Sequence, residues 1–326
     1  MIAAATLLGY AVLLLTAGAA ALARARWPER APRLAVSAWL ALAGTAAVSV
    51  ALGGLALAVP GARLGGEPGQ LIEACLVALR AQYAHPGSAV LACVGLVLAF
   101  AVPARISWCT LRELAGAARA RRRYRRGLAF VGSLDRRLGA VVVDHGVPAA
   151  WCLPGAGRPV VVTTAAIRAL NQPQLAAVLA HERAHQRGRH HLLVSLTSSL
   201  AMAFPYVRAF RTAQEQVGRL VELLADDAAA IASPRLTVAE AMLALSAPAP
   251  VAAAALGAGG RGTAARIRRL IARPAPLGRG VTAVGALAVA ALIAFPAAVL
   301  TAPVAAFGSN CPPLGTASVA AHAVQR

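Results

Sequence analysis

Lysine is absent from this chain. All 32 basic residues are arginine, set against 12 acidic ones, for a formal net charge of +20. With alanine so abundant, the all-arginine usage reads as the coding bias of a GC-rich bacterial genome, so the charge by itself does not indicate nucleic acid. Aromatics make up only 4% of the residues, too few to build base-stacking platforms. Charged residues of all kinds amount to 13%, less than a soluble domain needs to cover its surface. The five cysteines (Cys75, Cys93, Cys109, Cys152 and Cys311) form no CxxC pair, which excludes a zinc ribbon and a dithiol redox motif. Cys75 and Cys311 could meet in a bridge if both lie on the outer side.

What the chain does have is apolar length. Of its 326 residues 59% are hydrophobic, and the mean hydropathy is +0.65. Four segments are long and apolar enough to cross a bilayer, which takes about 20 residues: Ile2 to Ala23, Leu34 to Val59, Ser88 to Ile106 and Gly280 to Leu300. The first lacks the positive n-region of a secretory signal, and its arginines follow the apolar run instead of preceding it. Arginines crowd Arg24 to Arg33, Arg105 to Arg126 and Arg266 to Arg279. Because short cytoplasmic loops carry the basic excess, the N-terminus is expected outside, residues from about Ser107 to Arg279 inside, and the C-terminal tail outside. The Arg121–Arg126 run then reads as an anchor on anionic headgroups. This gives a multi-pass cell-membrane protein with three parts. Residues 1–127 would hold three spans and a basic juxtamembrane segment, 128–273 a cytoplasmic domain, and 274–326 a fourth span and short tail.

In the middle part, Ala140 to Asp144 and Pro159 to Thr163 read as strands, with Pro154, Gly155 and Gly157 marking a turn between them. Asn171 is a helix N-cap with Pro173 in the first turn, and Leu175, Val178 and Leu179 carry the helical period toward His181. A further helix is expected from His190 to about Phe210, bent at Pro205, others from about Thr212 to Ile231 and Val238 to Leu245, and a linker from Ala247 to Gly262.

The chemistry concentrates in His181-Glu182-Arg183-Ala184-His185. Two histidines four apart leave one face of a helix, and two neutral imidazoles suit Zn²⁺, which takes about four tetrahedral ligands. Glu182 is placed to take a proton from a metal-activated water and hand it to a leaving amine. HExxH on a helix is a fairly specific signal. Two third ligands compete. The same run extends to HExxHxxGxxH, with Gly188 and His191 at metzincin spacing. Alternatively Glu222, four before Asp226 on a helix face, could bind zinc while Asp226 holds a ligand imidazole. Glu215 is a weaker candidate.

Taken together, Arg158 to Thr164, Leu175 to His185 and the ExxAD segment Glu222 to Asp226 resemble the gluzincin membrane peptidases of the BlaR/MecR type and their HtpX-like and CAAX prenyl protease relatives. Arg266-Ile267-Arg268-Arg269-Leu270 resembles an element found after the active site in such proteins. The resemblance implies a mainly α-helical membrane protein with an α+β zincin-like domain, zinc as cofactor, Glu222 as third ligand and Asp226 behind the ligands. It favours Glu222 over His191. No β-lactam sensor domain follows, and Ala149-Ala150-Trp151 stands where many relatives have Asn-Ala-Phe. The expected function is proteolysis of a protein substrate, such as a cytoplasmic repressor, with the lipid bilayer as the other partner and no nucleic acid. An HtpX-like quality-control protease and a non-catalytic receptor with a vestigial site are the alternatives; an intact Glu182 disfavours the second. Cys152 is read as a buried thiol, with metal blockade by its thiolate the lesser reading. The edge of the strand Pro159 to Thr163 is the expected docking line for an extended peptide.

Overall fold

A computed structural model describes residues 1–59, 86–153, 159–246 and 256–301. The expected bridge between Cys75 and Cys311 and the turn at 154–157 lie outside these residues; of the described cysteines, Cys93, Cys109 and Cys152 are not in disulfides. Among the described residues, four helices are long and apolar enough to cross a membrane: α1 (Ile2–Arg24), α2 (Pro32–Ala58), most of α3 (Pro86–Val131) and α10 (Arg279–Thr301). They fall where the apolar runs fall. Helices α2 and α3 cross at two glycines. A Cβ on Gly54 would stand 2.7 Å from the Gly95 carbonyl oxygen, and one on Gly95 would stand 2.6 Å from the amide nitrogen of Ala58. Small residues at a crossing let two membrane helices approach backbone to backbone.

Helix α3 does not stop at the expected end of its span near Ile106. It runs on for 46 residues, about 69 Å at 1.5 Å per residue, through Pro103 and the whole basic run. The expected boundary at 127/128 thus falls in its last turn. The helix leads directly into a four-stranded sheet of β1 (Gly132–Asp135), β2 (Ala140–Val143), β3 (Ala150–Cys152) and β4 (Val160–Thr163), in the order β1-β2-β4-β3. Strands β2 and β4 are parallel, and the two outer pairings are antiparallel. Only β2 and β4 stand out in the sequence, since β1 is short and polar and β3 has three residues. One expectation is overturned here. Strand β4 is flanked on both sides and fully buried, so it offers no edge; the edge strands are β1 and β3, and β3 is the one beside β4.

The remaining helices are α4 (Thr164–Ala169), α5 (Gln172–Arg187), α6 (His190–Ala203), α7 (Arg208–Ala232), α8 (Arg235–Ser246) and α9 (Leu256–Ala272). Helix α5 opens on a reciprocal capping box between Asn171 and Gln174, which satisfies two orphan N–H groups at its start. The single bent helix expected from His190 to Phe210 is instead a hairpin. Pro205 has no N–H to donate and drives the preceding residue out of helical space, and Phe204 accordingly sits at φ −132°, ψ 71°. The expected linker through Gly262 is helical from Leu256. Its glycine-poor second half is anchored by the buried Leu270 and by two arginines described below, which outweighs the low helix propensity of its first turns.

Two cores position the site. One joins β2 and β4 to α5 and α8 through Val160, Val162, Leu175, Val178, Leu179 and Ala241. The other joins α7 to the long apolar helices α1 and α2. In it Ala209, Ala213, Val217, Leu220, Val221 and Leu223 recur at three- and four-residue spacing and pack on Leu14, Ala35, Val36, Trp39, Leu42 and Ala46.

Candidate active site

Helix α5 presents His181 and His185 one turn apart, and α7 crosses it to bring up Glu222. His181 Nε2 and His185 Nε2 are 3.1 Å apart. Glu222 Oε2 is 3.6 Å from the first, and Glu222 Oε1 is 3.4 Å from the second. Ligands about 2.0–2.2 Å from a tetrahedral ion are about 3.3–3.6 Å from one another; the separations here, taken to the two Glu222 oxygens, are of that size, and one ligand atom from each residue lies within 4.8 Å of the others. His181, His185 and Glu222 are the group of metal-binding type among the described residues. His191 lies outside that group, and Glu215 is exposed two turns earlier on α7.

The other ring nitrogens are also held. His181 Nδ1 lies 3.1 Å from Asp226 Oδ1 and donates to it, which fixes the tautomer that frees Nε2 for a metal. Asp226 is fully buried and is itself gripped by Arg266 from α9, at 2.8 Å from Nε and 2.7 Å from Nη2. The same guanidinium reaches Glu222 Oε2 through Nη1 at 2.9 Å. One arginine therefore fixes both carboxylates of the ExxAD segment. Removing it would leave the buried Asp226 without its guanidinium partner and resting on His181, a loss of up to about 3–5 kcal/mol by the usual cost of breaking such a pair.

His185 Nδ1 lies 2.9 Å from His190 Nδ1. The HExxHxxGxxH spacing points to His191 and passes over His190. The structure buries His190 as the support of a ligand imidazole. The turn between the two helices explains why. Arg189 adopts the left-handed conformation (φ 49°), which starts α6 so that its first residue points back at α5. Gly188 is needed for space, not for its dihedrals, because a Cβ there would stand 2.3 Å from His190 Nε2. Gly188→Ala should accordingly push the imidazole away and weaken metal retention by about 10- to 100-fold, the usual effect of losing a partner behind a ligand; competition with a calibrated chelator reads this directly.

Electrostatics follow from burial. Burial pulls His181 toward the neutral form, but its hydrogen bonds to Asp226 and Glu222 outweigh this and push it up to about 9. Burial takes His185 down to about 4. The pair thus holds a proton at His181 only, next to Glu222, and that is the proton a bound cation would displace. Glu222 and Asp226 are both pulled up by burial. The His181 hydrogen bond and Arg266 reverse this at Glu222, and the Arg266 and His181 hydrogen bonds reverse it at Asp226, leaving each below its ordinary value. Glu182 is raised, chiefly by burial, in the direction a general base requires.

Glu182 is also hydrogen-bonded by the thiol and the backbone N–H of Cys152, on the edge strand β3. Burial and the Glu182 charge push that thiol up to about 12, so Cys152 is a neutral donor to the carboxylate and not a thiolate aimed at a metal. On the far side a cavity of about 220 Å³ adjoins His181 and Glu182, walled by Val178, Ala241, Met242 and Leu245.

Comparison with curated proteins and with solved structures gave no match. The family comparison did. The matched stretch runs from the last third of α3 through α9, so it takes in the sheet, both ligand helices and Arg266. Zinc, the metal that such families hold, fits the donor set found here: two imidazoles, one with its tautomer set by Asp226, and one carboxylate kept ionised. Residues 117–273 of this chain match the model of peptidase family M48, a family of metallopeptidases.

Proposed function

We propose that the chain is a membrane-embedded zinc metalloendopeptidase in which His181, His185 and Glu222 hold the metal and Glu182 is the general base. The observation that carries this reading is the close group of ligand atoms beside a half-buried carboxylate with a raised proton affinity. Zinc held there supplies a Lewis acid that polarises a peptide carbonyl and acidifies a water. Glu182 takes the proton of the attacking water and returns it to the departing amine. Asp226 and His190 keep the ligand rings oriented, and Arg266 keeps Glu222 ionised and in place.

Substrate would lie along β3. Trp151 pairs with Val161, and Ala149 accepts from the Thr163 amide, so the alternate residues Ala150 and Cys152 turn their backbone groups to the free edge. An extended peptide adding there passes over Glu182, and the apolar cavity accepts a neighbouring side chain. Ala150→Pro tests this. It removes an N–H that makes no bond within the sheet, so the fold and the zinc should survive. KM should rise by about 5- to 10-fold, the equivalent of one hydrogen bond; an unchanged KM would place the substrate elsewhere.

The reading extends to regulatory proteolysis of a protein such as a repressor at the arginine-rich, cytoplasmic face, supported by the order of spans around the zinc domain and by the basic flanks of the spans. Quantitative proteomics of cells carrying the Glu182→Gln form against the active form tests it. One or a few stabilised proteins with a transcriptional role support regulation, whereas broad accumulation of membrane proteins supports quality control.

A further inference from the structure

One helical turn beyond Arg266, and one residue beyond Asp226, lies a second cluster of charges that the proposed reaction does not use. Arg269 of α9 closes on Asp227 of α7 with both Nη atoms, each 2.8 Å from a carboxylate oxygen. Its Nε donates to the backbone carbonyl of Glu29 at 2.9 Å. Glu29 ends the short 3₁₀ turn Trp27–Glu29 between α1 and α2, and its own carboxylate meets Arg219 of α7 at 2.9 Å. The next residue, Arg30, donates through Nε to the carbonyl of Ala275, just past the end of α9, at 2.8 Å. The α1–α2 turn thus holds α9 in its last turn and again beyond it, and holds α7 one turn before Glu222.

Helix α9 needs such a hold. Its first turns carry Gly257, Gly259, Gly260 and Gly262, which favour helix poorly. Its buried contact is Leu270, with Ile267 beside it, against Ala177, Ala229, Val238 and Ala239. A seat made largely of alanine side chains is smooth and does little to fix the rotation of the helix. The directional bonds of Arg266 and Arg269, each with a two-pronged grip on its aspartate, do that instead. The second cluster is also short of acceptors. Arg219 Nε and Arg235 Nη1 are buried and have no hydrogen-bond partner among the described residues, and Arg235 Nη2 lies 3.7 Å from Asp227. The two acceptors that Glu29 supplies are therefore not readily replaced.

We propose that Arg269 is a positioning residue for the metal centre and that the α1–α2 turn is the anchor it works from. Held by Asp227 and the Glu29 carbonyl, Arg269 sets α9 so that Arg266, one turn earlier, reaches Glu222 and Asp226 together. Withdrawal of the turn loosens Arg266, and Glu222 loses the guanidinium that keeps it at the two imidazoles. Every member of the metal-binding group lies within residues 117–273, yet the group is completed by a turn outside that stretch. A shift of α1 and α2 against α7 is then read as a change in metal affinity. This rests on the metal-centre reading given above.

The test measures the zinc affinity of the full chain by competition with a chromophoric chelator. Arg269→Gln should weaken zinc binding by about 10-fold, the lower end of the effect of losing a support behind a ligand. The decisive comparison is made in an Arg266→Lys background, where a single-point amine no longer passes on the position of α9. There Arg269→Gln should add less than about 2-fold, because both changes act through one contact. Equal losses in the two backgrounds would overturn the proposal, since a residue that only supports the fold acts independently of Arg266. The turn is tested separately. Glu29→Arg should weaken zinc by about 3-fold, and Arg219→Glu added to the same chain should restore it. No loss from the first change, or no rescue by the second, would overturn the role of the turn. Both side chains are partly exposed, so this arm decides even where Arg269→Gln does not fold. A native chain that binds no zinc would overturn the metal-centre reading as well.

Discussion

Glu182→Gln is expected to lower peptidase activity by about 10²- to 10⁴-fold with zinc still bound at full occupancy. The amide keeps the shape of the side chain and can still meet the Cys152 thiol and N–H, but it cannot accept a proton. Glu182 is no part of the ligand group, so metal content is insulated from the change. Activity on a generic unfolded protein and zinc by atomic absorption separate the two quantities. Retained cleavage would remove Glu182 from the reaction; lost zinc would mean that the carboxylate supports the ligands.

The second large effect is on the metal itself. Glu222→Ala deletes one member of the ligand group and frees an Arg266 guanidinium 2.9 Å from where the carboxylate stood, placing a bare positive charge next to an incoming cation. Zinc content should fall to background on purification, a larger loss than the roughly 10- to 100-fold expected of His190→Ala, which spares all three ligands. His191→Ala should leave zinc unchanged. A chain that keeps zinc without Glu222 and loses it without His191 would have the HExxHxxGxxH arrangement instead.

How far the residue order reveals this site depends on how local each contact is. His181, Glu182 and His185 are legible because one helical turn fixes their relation. Glu222 and Asp226 are legible as a pair on one face, but their arrival at α5 depends on the α6–α7 hairpin, whose turn at Pro205 reads in sequence only as a bend. His190 was missed because Arg189 takes a left-handed conformation, which no arginine advertises, and that single dihedral decides whether His190 or His191 faces the metal site. Arg266 stood in a recognisable stretch, yet its role follows from a contact across 40 residues of chain that spacing cannot supply. The β3 edge was assigned to β4 because the longer run of valines reads as the better strand; a run buried on both flanks is the reason those valines are there.

The double duty of α7 bears on how this protein can be handled and how it can change. One side of that helix holds the Glu222 carboxylate and the other rests on Trp39 and its neighbours in α2. A fragment trimmed to 128–273 would bare Val217, Leu220 and Val221 to solvent and should clump rather than dissolve. Drift in the greasy packing of the first two helices is therefore felt as a displaced carboxylate, and an inhibitor wedged among those apolar side chains could poison the metal centre without touching it.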